Sequence, residues 1–105
     1  MSRNLYTENE VVLCLFIALY GTTGQINYEN INKKFSRSVS SLKMKVKNIA
    51  AMLDEEGIQR YSDIKGLSGL PTGRQGRKTN RDIVEKYVKF SKIKLFEKSM
   101  DILND

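Results

Sequence analysis

Thr7-Glu8-Asn9-Glu10, followed by the apolar run VVLCLFIALY and then Gly21, constrains the fold more than any other stretch of the chain. A threonine with glutamate three residues on is a capping box, in which each side chain satisfies a backbone N–H of the other. A glycine directly after an apolar run is a natural helix stop. The spacing predicts a helix from about Glu8 to Tyr20. It is apolar almost all round, which makes it the central core helix. The chain has 105 residues, the size of one domain, and 40% of them are hydrophobic, enough for a small core. The apolar run is too short to span a bilayer. It follows acids rather than a basic segment and no small-residue cleavage site follows it, which argues against a signal peptide. Cys14, the single cysteine, lies inside the run. It excludes an intramolecular disulfide and fits core packing in a reducing compartment. A soluble, cytoplasmic protein is expected.

The remaining elements are shorter. After the loop GTTGQ, Asn27 can cap a second helix through about Lys34, with Tyr28, Ile31 and Phe35 inward. Ser36 or Ser38 can cap a third helix to about Leu53. Its apolar positions Val39, Leu42, Val46, Ile49, Ala50 and Leu53 form one stripe. The opposite face carries Ser40, Ser41, Lys43, Met44, Lys47 and Asn48. Residues 57–79 hold five glycines and Pro71, the only proline, so continuous helix is not expected there. Thr79 or Asn80 can cap a C-terminal helical region with a break near Ser91. Its apolar residues are Ile83, Val84, Tyr87, Val88, Leu95, Phe96, Met100 and Leu103. The expectation is an all-α protein: a small helix-turn-helix domain of four to five helices with a long basic glycine-rich loop. It divides into a three-helix core at 5–54, the loop at 55–80 and the C-terminal region at 81–104.

Charge is distributed unevenly. Residues 36–53 hold Arg37, Lys43, Lys45 and Lys47 and no acid, and residues 58–81 hold six cations against Asp63 alone. Asp54, Glu55 and Glu56 subtract three, the two ends cancel, and the blocks account for the net charge of +6. Such a localised excess is the electrostatic footprint of a polyanion binder. A merely solvated helix face mixes signs to gain ion pairs four residues apart. The chain has no histidine. That removes the commonest general base and, with one cysteine, an ordinary zinc site. Neither an enzyme nor a cofactor is expected.

Two helices joined by a connection as short as FSRS, the second basic and outward-facing, make a helix-turn-helix pattern. In that geometry Ser40, Ser41 and Met44 would meet base edges, hydroxyls by hydrogen bonding and methionine at a thymine methyl. Serines there also serve as helix caps. Lys43 and Lys47, one turn apart, could reach phosphates on one side of the groove, and Arg37 counts with them among the expected nucleic-acid-binding residues. Arg74, Arg77 and Lys78 on a glycine-rich backbone, with Arg81 after them, could follow a minor groove or remain solvated. Tyr61 either stacks on a base or packs back on the domain, the second being favoured.

The run RSVSSLKMKVKNIAAMLDEEG, followed by IKGLSG and NRDIVEKY, resembles the N-terminal domain of bacterial HNH-type endonucleases. The similarity covers roughly residues 5–90. It opens at Tyr6-Thr7 and is most specific in the spacing of Lys45, Asn48, Ala50, Leu53 and Asp54. The resemblance implies DNA recognition, with a structural rather than base-reading role for Asn48. The histidines and asparagine of the nuclease half are absent, so it implies recognition without cleavage. The partner expected is therefore double-stranded DNA, bound with sequence preference by a small transcriptional regulator. The alternative is a phage or mobile-element inhibitor of a host defence nuclease, of anti-restriction or anti-CRISPR type, which binds the nuclease or its nucleic acid. No membrane partner is expected. The apolar surplus of residues 82–105 (Tyr87, Phe90, Phe96, Met100 and Leu103) suggests a homodimer, or closes the core of a monomer over the first helix.

Overall fold

The computed structural model describes residues 6–61 and 80–105. Among them it contains five α-helices and no strand: α1 (Glu8–Tyr20), α2 (Tyr28–Phe35), α3 (Val39–Glu55), α4 (Arg81–Tyr87) and α5 (Lys92–Asn104). The protein is all-α, as the patterning predicts.

α1 is the hub. Its capping box forms: Glu10 N–H donates to Thr7 Oγ1 at 3.3 Å, and Thr7 N–H donates to Glu10 Oε1 at 2.8 Å. Every residue from Glu10 to Leu19 is buried, because all four other helices pack around this one. Gly21 ends it at φ +86° and donates its N–H to Ile17 at 2.8 Å. A Cβ here would lie 3.0 Å from the Tyr61 ring, so close approach as well as conformation requires glycine.

Asn27 caps α2 by accepting from Asn30 N–H at 2.9 Å. Ser38, rather than Ser36, caps α3 by accepting from Ser41 N–H at 3.1 Å. Ser36 has a different task. It closes α2 in the left-handed conformation, φ 59°. The connection between the two helices is thus Ser36-Arg37-Ser38, as short as the sequence indicates.

α3 buries a wider stripe than the sequence suggests. Leu42, Val46, Ile49, Ala50 and Leu53 are inside, but so are Lys45, Ala51 and Met52. Ile26, in the turn before α2, is also buried, held where Ile26 N–H donates to Thr23 Oγ1 at 2.8 Å.

The C-terminal region breaks where expected, with Ser91 capping α5 by accepting from Lys94 N–H at 3.2 Å. Val84, Tyr87, Leu95 and Ile102 join the same core as α1, and Ile83, Val88, Phe90, Phe96, Met100 and Leu103 pack half-buried against it. The side chains that suggested a dimer surface therefore cover the core of the single chain. Asn80 stands at the N-cap position of α4, but in the left-handed conformation and with no capping bond from its side chain. That side chain is engaged by Lys45 instead. Thr79, the other expected cap, lies outside the described residues.

Candidate nucleic-acid interface

The four cations of residues 36–53 divide into two pairs with opposite fates. Arg37 turns inward from the connection between α2 and α3. Its Nε donates to Glu10 Oε2 at 2.7 Å and its Nη2 to Glu10 Oε1 at 3.2 Å. Glu10 is only 3% exposed. Burial works against its charge, but hydrogen bonds from Arg37 and from Thr7 outweigh that and hold the carboxyl below the usual glutamate range. The Arg37 guanidinium also lies 4.0 Å from the centroid of the Tyr6 ring, a cation–π contact. The Arg37 carbonyl accepts from the Asn32 side-chain amide. These contacts tie the start of α1, the end of α2 and the turn before α3 into one unit.

Lys45 is the second inward cation. It is 8% exposed, and its Nζ donates to Asn80 Oδ1 at 2.7 Å. Burial pushes its pKa below the usual lysine value. It links the middle of α3 to the start of α4.

Lys43 and Lys47 are exposed, along with Ser40, and Met44 is 56% exposed. These four residues line the outward face of α3 within about its first two and a half turns. The Lys43 ammonium passes 5.8 Å from the centroid of the Tyr28 ring. Ser41 sits at the edge of this face. It is half-buried, and its hydroxyl lies 2.6 Å from the Tyr6 hydroxyl. Asn48 is half-buried beyond Lys47.

The acids at the end of α3 are held by arginines. Arg60 grips Asp54 with two bonds, of 2.8 and 3.1 Å. Arg81 bridges Glu55 and Glu56 at 2.8 Å each. Arg81 is therefore engaged with α3 rather than presented as part of a basic arm. Arg74, Arg77 and Lys78 lie outside the described residues.

The structure thus brings together Ser40, Lys43, Met44 and Lys47, and directs Arg37, Ser41 and Arg81 toward contacts within the chain. Tyr6, Glu10 and Lys45 frame the site and were not among the expected site residues. For Lys45 the signal was available: three residues after Leu42 and four before Ile49, it falls on the apolar stripe itself. The partnership of Arg37 with Glu10, 27 positions away, has no local signature.

Among the described residues no helix is long and apolar enough to cross a membrane, and no group of three or more histidines, cysteines or carboxylates could hold a metal ion. Cys14 is buried, and burial pushes its thiol up to about 12. No protein-family model, curated protein or solved structure matches this chain.

Proposed function

We propose that the protein binds double-stranded DNA through the outward face of α3, with Lys43 and Lys47 on phosphates and Ser40 and Met44 toward base edges. The observation that carries this reading is the pairing of a three-residue connection with an exposed face, free of acids through Leu53, on the helix that follows it. The recognition helix of a helix-turn-helix needs that exposure at its N-terminal turns and that rigidity at the turn before it. Arg37 supports the rigidity: a guanidinium bonded twice to a buried carboxylate fixes the angle at which α3 leaves α2. A serine and a methionine can make the polar and apolar base contacts that a major groove offers. The basic residues Arg74, Arg77 and Lys78 belong to this reading as backbone contacts beside the groove, while Arg81 serves to hold Glu55 and Glu56 at the end of α3. A small DNA-binding regulator is the function that follows.

Titration of labelled duplex by fluorescence anisotropy tests it. The full chain should bind duplex alone, and Lys43→Gln or Lys47→Gln should weaken that binding with the helical content unchanged. A chain that has no duplex affinity of its own, yet blocks a nucleic-acid-guided nuclease, would identify the inhibitor reading as correct.

A further inference from the structure

A second region combines aromatic and basic side chains, and it is distinct from the α3 face. A cleft of about 500 Å³ opens between the end of α1, the segment after α3 and the start of α5, lined by Leu19, Tyr20, Gln59, Arg60, Tyr61 and Lys92. Those six residues supply two tyrosines, one amide, two cations and no acid. The cleft is wide enough to admit a nucleobase together with its sugar and phosphate.

Tyr61 is held firmly for a residue beyond a helix end. Its N–H donates to the Ala18 carbonyl at 3.1 Å, its own carbonyl accepts from Arg60 Nη1 at 3.0 Å, and its ring rests against Gly21. The residue nevertheless stays 40% exposed. An aromatic that is both anchored and exposed has already lost the freedom that stacking would otherwise cost it. Beside it, the Lys92 ammonium passes 5.2 Å from the Tyr20 ring centroid and is exposed. Arg60 is largely committed to Asp54, so Lys92 is the cation best able to meet a phosphate here.

We propose that this cleft binds one unpaired nucleotide of a single-stranded nucleic acid, its base stacked on Tyr61 and its phosphate on Lys92. A strand rather than a free nucleotide is the occupant because one exposed lysine makes no phosphate cradle. A strand presents one charge per residue and gains affinity from its neighbours along the surface, whereas a free nucleotide must be held by this site alone. Gln59 supplies an amide that can hydrogen-bond a base edge without fixing its identity. The inference is independent of duplex binding by α3.

The test is anisotropy of labelled short oligothymidylate with the full chain, its fold monitored by circular dichroism. Tyr61→Ala should weaken binding about 5- to 30-fold, and Tyr61→Phe should stay within about twofold of the parent. Tyr61→Leu keeps apolar packing over Gly21 but has no aromatic face, so it should lose as much as Tyr61→Ala. Lys92→Gln should flatten the salt dependence by about 0.7 in the slope of log affinity against log salt. Adenosine monophosphate should compete poorly. The inference is overturned if Tyr61→Leu binds the oligonucleotide like the parent, or if the mononucleotide saturates the cleft as tightly as the strand. Duplex affinity is read separately with Lys43→Gln and Lys47→Gln. Duplex binding that these two changes leave unaltered, with the Tyr61 dependence intact, breaks only the α3 reading.

Discussion

The cations of the turn before α3 and of α3 itself are the same kind of residue put to opposite uses. Arg37 and Lys45 point in, where each has a specific partner: Glu10 for the arginine, Asn80 for the lysine. Lys43 and Lys47 point out, exposed. A block of four like charges is thus half scaffold and half surface. Its electrostatic reach is smaller than the sequence count suggests, while its geometry is better fixed, because the two inward cations hold the helix that carries the two outward ones.

The largest effect that tests this division is on stability. Arg37→Ala leaves the Glu10 carboxylate buried without its main partner and should cost about 3 kcal/mol in urea denaturation. Lys43→Ala and Lys47→Ala should each stay within about 0.5 kcal/mol of the parent. Equal losses at Arg37 and Lys47 would erase the distinction between inward and outward cations.

Acid sharpens the same contrast. The Glu10 carboxyl lies below its ordinary value in the folded chain. Its contribution is therefore complete above the unfolded glutamate value of about 4.3 and is lost as pH falls through the lower folded value. The urea midpoint should drop as pH is lowered into that range. Part of the drop should vanish in Glu10→Gln, which lacks the titrating group.

Lys45→Met should cost about 1 kcal/mol through the lost bond to Asn80, and should leave DNA affinity unchanged apart from any loss of folded protein. A large affinity loss with stability intact would move Lys45 to the binding side of the comparison. The smallest effect is on recognition: Lys47→Ala should weaken binding to all sequences alike by about 0.5–1 kcal/mol, and Met44→Ala should shift sequence preference more than affinity. Ser41→Ala, once the Tyr6 contact is considered, should act on stability rather than preference.

Much of the fold was legible because its signals are local. Thr7 with Glu10, Asn27, Ser38 and Ser91 each mark a helix start within three residues of the bond they make, and Gly21 marks an end. The outward positions of Ser40, Lys43, Met44 and Lys47 follow from the spacing of Leu42, Val46 and Ile49. The diversion of Arg37, Ser41 and Arg81 was not legible. Their partners Glu10, Tyr6, Glu55 and Glu56 lie far along the chain, and which distant acid meets which cation depends on packing that no local pattern encodes. Asn80 shows the same limit: its residue type suits a cap, but a lysine 35 positions away takes its side chain.

The central claim is that the outer face of α3 meets DNA phosphates with Lys43 and Lys47. The salt dependence of duplex binding, measured for the parent chain and for Lys43→Gln/Lys47→Gln together, tests it most directly. If those two lysines and Arg74, Arg77 and Lys78 meet phosphates, the slope of log affinity against log salt should be roughly −4 to −5. The double variant should reduce its magnitude by about 1.8, one increment of about 0.9 for each lost contact. A flat response in the parent, or an unchanged slope in the double variant, would contradict the account.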